Sequence, residues 1–208
     1  MATSIRTYLL LPLFCLMAVG LTPSITYGAD CHLQGTWDTG FLTSRGPGVA
    51  RIALTFDCVG NATMDTTLLR GSMFTGAGEV YRRTGRYTLV GPSTDVIGGI
   101  GVDVIIDTLD VTYLDYNTLK LDTDSEHCAT PDALILEPQN ILGRSCYGIT
   151  FPRAGFIERA VALVEGEKLY WSPYVGPNQV VIQPPEEPAR RPSTVNRKTP
   201  FFPVTPHF

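Results

Sequence analysis

The sequence predicts an all-β domain, an antiparallel β-barrel or half-open barrel with at most one short helix. Three observations predict it. Apolar and polar residues alternate with period two through most of the chain, Gly, Pro, Asn and Asp punctuate it about every ten residues, and no crossover helices separate the alternating runs. No internal repeat is visible.

The N-terminus carries Arg6 and then "YLLLPLFCLMAVGL" over residues 8–21, one positive charge before an apolar run too short to span a bilayer comfortably. Residues 1–29 therefore read as a signal peptide, with cleavage before Asp30. The mature chain is expected to be secreted and extracellular, with no integral membrane segment after cleavage and no lipid-anchor motif at "PVTPHF". Cleavage removes Cys15 and leaves Cys31, Cys58, Cys128 and Cys146, so two disulfides are expected in an oxidising compartment. Of three connectivities, Cys31 with Cys58 and Cys128 with Cys146 is favoured because neither loop crosses the other. Asn61-Ala62-Thr63 is a glycosylation sequon in a Gly-containing loop.

Residues 30–183 form the expected barrel module. They hold eleven Lys/Arg against eighteen Asp/Glu, a net charge of −7 that argues against nucleic acid. Ile52, Leu54 and Phe56 alternate with Arg51, Ala53 and Thr55, and Tyr87 and Leu89 alternate with Arg86, Thr88 and Val90. Both read as half-buried strands. Ile100, Val102, Val104 and Ile106 then slip phase to Leu109, Val111 and Tyr113, which a bulge near Asp107 or Thr108 would reconcile. Leu119 and Leu121 around Lys120 read as a further strand. Val161 and Leu163, then "EGEK", then Leu169 and Trp171 read as a hairpin, while residues 156–164 are the one helical competitor and lack a clear N-cap. From residue 184 to 208 seven prolines and few apolar residues predict a disordered or polyproline-like tail.

"VIGGIGVDV", residues 96–104, raises the possibility of a phosphate-binding glycine loop. Such loops work where a strand meets a helix, and here an alternating β-branched run follows, so the glycines are expected to shape a strand connection. Asp122, Asp124 and Glu126 in "DTDSEHC" imitate the start of a calcium loop, but His127 stands at its sixth position and Ala133 at its twelfth. Neither a metal nor another cofactor is expected. Asp103, Asp107 and Asp110 are the only carboxylates that suggest a secreted hydrolase, and their alternation with aliphatic residues reads better as a solvated face. No nucleophile elbow or His-based constellation is present, so a non-enzymatic role is expected.

Gly35-Thr36-Trp37 resembles the lipocalin motif whose Trp packs across the closed end of a barrel. "LQGTW", then "TGRYTLVGPSTDVIGGIGVDVIIDTLDVT", a later cysteine and "ERAVALVEGEKLYW" together resemble one module of the adenomatosis polyposis coli down-regulated family. The likeness spans roughly residues 33–171, although "DTGFLTSRGPGVAR" replaces that family's Cys-Glu-x-Arg-Pro-like segment. The resemblance implies an exported Wnt inhibitor with lipocalin-like barrel modules that engage acylated Wnt ligands or their co-receptors. An acyl site needs an apolar lumen, for which Trp37, Ile52, Leu54, Phe56, Tyr87, Leu89, Val102, Val104 and Ile106 are the candidate lining. A lipocalin-like carrier of small lipids such as a fatty acid is the alternative.

Overall fold

A computed structural model describes residues 31–43, 48–70, 78–124, 128–146, 149–172 and 191–205. Residues 1–30, where a signal peptide and its cleavage site are expected, lie outside the described residues. A 3-10 turn, Cys31–Leu33, leads into β1 (Gly35–Asp38), β2 (Leu42–Thr43), β3 (Gly48–Phe56), β4 (Asn61–Arg70), β5 (Gly78–Pro92) and β6 (Ile100–Tyr113). Helix α1 (Tyr116–Asp124) follows, then β7 (Gln139–Asn140), β8 (Ser145–Cys146), β9 (Ile149–Thr150), β10 (Ile157–Glu165), β11 (Lys168–Ser172) and β12 (Phe202–Pro203).

The main sheet runs β11-β10-β6-β5-β4-β3-β1-β12, with every pairing antiparallel. It curls into a nearly closed barrel. Ala50, Ile52, Leu54 and Phe56 of β3 are buried while Arg51 and Thr55 are exposed, so the alternation read from sequence is the inside and outside of one wall. Small interior residues on β10, Ala160 and Ala162, leave room for Phe56 and Trp171 within the same apolar cluster.

Pairing between β5 and β6 shifts register between Thr84 and Gly85: Thr84 faces Thr108 and Gly85 faces Ile106, leaving Asp107 as the extra residue. This is the expected bulge. It carries the buried set from Val102 and Val104 onto Leu109, Val111 and Tyr113 without turning the strand over. The far part of that face packs a second cluster, in which Tyr81, Leu109, Val111 and Tyr113 meet Leu119 of α1 and Ile141 and Phe151 from the following loops.

The glycine loop joins β5 to β6 across residues 93–99, strand to strand, as its sequence context suggested. Ser93 Oγ accepts the Val96 amide at 3.1 Å, and the Gly99 amide donates to Val96 O at 2.9 Å. Gly98 has φ +76°, and a Cβ on Gly99 would meet the side chains of Val96 and Val161. Two-residue alternation also makes the hairpin of β10 and β11, with Gly166 at φ +60° in its turn.

Three expectations change. Leu119 and Leu121 lie in a helix, with Leu119 buried and Leu121 exposed, because Asp115 caps its start: its carboxylate accepts the Asn117 and Thr118 amides at 2.9 and 3.1 Å. Residues 156–164, the helical competitor, belong to β10 and the turn before it, where both faces find apolar cover. The stretch expected as a detached tail is described from 191 to 205, and there it is part of the barrel: Phe201 is 1 % exposed within the main cluster. Residues 184–190 and 206–208 lie outside the described residues.

Cys31 and Cys58 are disulfide-bonded, as favoured from sequence, tying the 3-10 turn to the β3–β4 connection. Closing a loop of that size in the unfolded chain contributes about 3 kcal/mol. Cys128 is buried and disulfide-bonded; the Cys146 side chain lies outside the described residues, so its expected pairing is not described.

Two outcomes follow from these contacts. A Cβ on Gly85 would stand 2.1 Å from the Ile105 backbone oxygen, so Gly85→Ala should cost about 3 kcal/mol in chemical denaturation. For Asp115, burial works to raise the carboxyl pKa, but hydrogen bonds from the Thr118 hydroxyl and the Thr118, Gly78 and Asn117 amides prevail and hold it below its ordinary value. A depressed folded pKa means stability that is full above the unfolded value and lost as pH falls through the folded one. Asp115→Ala should therefore lose about 1 kcal/mol at neutral pH and show a shallower loss of α1 helicity by circular dichroism below about pH 4.

Candidate functional site: the barrel interior

The interior is built by counting in twos along each strand. The Trp37 indole N–H donates to Leu33 O at 2.9 Å, which fixes the ring within the main buried cluster. Phe56 meets the edge of Tyr87 with ring centroids 5.1 Å apart and leans on Trp171 at 5.5 Å. The Tyr87 hydroxyl reaches out to donate to Asp57 O at 2.7 Å, so its ring position is fixed from both ends.

Of the nine expected lining residues, Trp37, Ile52, Leu54, Phe56, Tyr87, Val102 and Val104 share this one buried cluster, and Leu89 packs against it. Ile106 is buried but belongs to neither large cluster. The clustered side chains pack against one another. A recess bounded by Leu54, Phe56, Ala62, Met64, Val104 and Trp171 leaves about 20 Å³, the room of a single water.

Two features of the recess escaped the sequence reading. The buried indole N–H of Trp171 has no acceptor among the described residues. At the same recess Arg83 of β5 forms an ion pair with Glu158 of β10, two strands away over β6, and points a second guanidinium nitrogen at the Met64 sulfur. Side-chain exposures of 15 % and 9 % place this pair out of bulk water. The signal existed: Arg83 lies two steps along β5 from Gly85 and four from Tyr87, both inward, whereas its neighbour Arg82 faces out to Asp65 at 2.8 Å. Glu158 stands two residues before the inward Ala160 by the same count.

The acidic residues weighed for hydrolysis are not brought together. Asp103 binds Arg191 at 2.6 Å, Asp107 faces Arg86 at 3.3 Å, and Asp110 accepts from Asn140 at 3.1 Å. Each carboxylate has its own partner. Asp122 is buried on α1 and accepts the Tyr113 hydroxyl at 2.6 Å; burial and then this carboxylate push the Tyr113 pKa far above its ordinary value. Glu126 and His127 lie outside the described residues, and among those described no group of three or more metal-type ligands assembles. No helix among them is long and apolar enough to cross a membrane.

Asn61 is exposed at the start of β4, and its side-chain amide donates to Asp57 Oδ2 at 2.6 Å. The backbone amide of Asn61 first, helped by that side-chain bond and the Val59 and Gly60 amides, holds the Asp57 carboxyl below its usual range against the opposing effect of desolvation.

In comparisons with known proteins, no family model and no curated protein matches the chain. The family resemblance therefore rests on the residues that suggested it.

Removing one member of the interior ion pair leaves an uncompensated charge in a low-dielectric site. Arg83→Met or Glu158→Leu alone should destabilise by about 3–5 kcal/mol, and the double variant should recover most of it. A double-mutant cycle by chemical denaturation reads this coupling directly.

Proposed function

We propose that this chain is an exported, non-enzymatic binding module that holds an acyl ligand in its barrel interior, presented by a lipid-modified signalling protein of Wnt type. The observation that carries it is the buried Trp171 N–H beside an apolar recess: a donor without an acceptor in such a place favours a ligand that supplies an oxygen along with hydrocarbon. An acyl ester has both. Met64 is the wall suited to move, since its unbranched side chain repacks at little cost. The neutral Arg83–Glu158 pair adds polar groups without a net charge, which fits an ester better than a free carboxylate. The Wnt-type partner is suggested by the resemblance in residues 85–112 and by nothing in the interior itself.

The test is calorimetric titration and native mass spectrometry of the full chain with a long-chain fatty acyl ester, the free fatty acid and an acylated Wnt-type peptide. Saturable binding of the ester and the acylated peptide is expected. Trp171→Phe keeps the apolar wall and removes the donor, so it should weaken ester binding about tenfold, the worth of one buried hydrogen bond. Binding of free fatty acid in preference to both would make the module a lipid carrier. Failure of all three to bind would overturn the reading.

A further inference from the structure

Strand pairing varies in length around the barrel and is shortest at one seam. The registers of β3 with β4, β4 with β5 and β5 with β6 extend over nine residues or more and β1 pairs β3 over four, but among the described residues β1 and β11 are joined only through residues 201–204. Phe201 exchanges both backbone hydrogen bonds with Leu169, its amide donating at 2.8 Å and its carbonyl accepting at 3.0 Å. On the other side Phe202 and Pro203 face Asp38 and Trp37, and the Val204 amide donates to Thr36 O at 2.8 Å.

One side chain anchors this segment. Phe201 is buried in the cluster with Trp37, Leu169 and Trp171, while Phe202 and Val204 are 46 % and 44 % exposed. Pro203 has no amide hydrogen to extend the ladder. Upstream, Val195 packs beside the cluster of Val96, Val161, Leu163 and Tyr170, Arg197 binds the Glu165 carboxylate at 2.8 and 2.9 Å, and half-buried Arg191 reaches Val102 O, Ala160 O and Asp103. Short pairing on both sides of the seam, one fully buried anchor and the exposed Arg197–Glu165 pair are properties of a unit that opens below the free energy of global unfolding.

We propose that residues 191–205 form a strap that opens as a unit and gates the barrel interior, and that its release at the β1–β11 seam is the route by which an apolar ligand reaches the recess beside Trp171. The gating half rests on the acyl-binding reading; the opening half does not. Phe201 leaving the cluster uncovers Trp37 and Trp171 together and frees far more volume than the roughly 20 Å³ present when the strap is seated. The long ladders of β3 to β6 stay intact, so the barrel keeps its shape while the seam is open.

Native-state hydrogen exchange on the full chain, with and without the fatty acyl ester, tests both halves. The Leu169, Phe201 and Val204 amides should exchange together, at least about tenfold faster than the ladder amides of β4 and β5. Phe201→Leu and Arg197→Ala, both mild, should speed that group while leaving β4 and β5 unchanged, and ester uptake measured by stopped flow should accelerate by the same factor. Phe201→Ala should raise strap exchange by about two orders of magnitude. Strap amides that exchange only at the β4 and β5 rate would overturn the proposal, as would uptake that does not follow strap exchange across the variants. Independent strap opening with no ester binding at any concentration would instead remove the acyl-binding reading, and the gate with it, while the amide data still establish the opening.

Discussion

Every sheet that curls toward closure still ends in two rows of backbone N–H and C=O groups, and burying or exposing them unpaired is costly. Here β1 and β11 present those rows on either side of one gap. A two-residue strand and the residue before it satisfy both, and the same segment drives an aromatic side chain into the core. Leu33, Trp37, Phe56, Tyr87 and Trp171 share one buried cluster with the aromatic side chain that this segment delivers.

The second constraint is that one concave face serves two clusters. β5 and β6 are long enough to leave the barrel and support a separate packing unit with α1 and the loops after it. Asp107 keeps both halves of β6 facing the same way, and Gly85 permits the close approach opposite it. A strict alternation over fourteen residues would have turned Leu109, Val111 and Tyr113 outward. The Arg83–Glu158 pair places opposite charges on the interior face, on the two strands that flank β6.

Much of this was legible in the sequence because a half-buried strand records its environment locally. Residues 52–56, 87–89, 100–113 and 161–171 each show which side is apolar, and the slip at Asp107 announces its own bulge. The helix was misread because Leu119 and Leu121 imitate alternation over too few residues, while the Asp115 cap that decides the matter lies upstream. Arg83 and Glu158 were hidden by the habit of placing charge outside. Phe201 left no periodic trace at all: a strand of two residues amid prolines has no pattern, and its burial depends on a seam made by strands from opposite ends of the chain. Whether the barrel was hollow was likewise invisible, since the free volume depends on how far the sheet closes and how the rings tilt.

The pairing of Trp37 with Pro203 joins the first strand to the last. A chain synthesised from its N-terminus can therefore assemble the ladders of β3 to β6 early, through contacts close in sequence, but must hold β1 and β11 as bare edges until residues 201–204 arrive. During that interval the nascent barrel is an open sheet with Trp37, Leu169 and Trp171 uncovered, and the aromatic residue that ends its vulnerability to edge-to-edge association follows all eleven of the preceding strands.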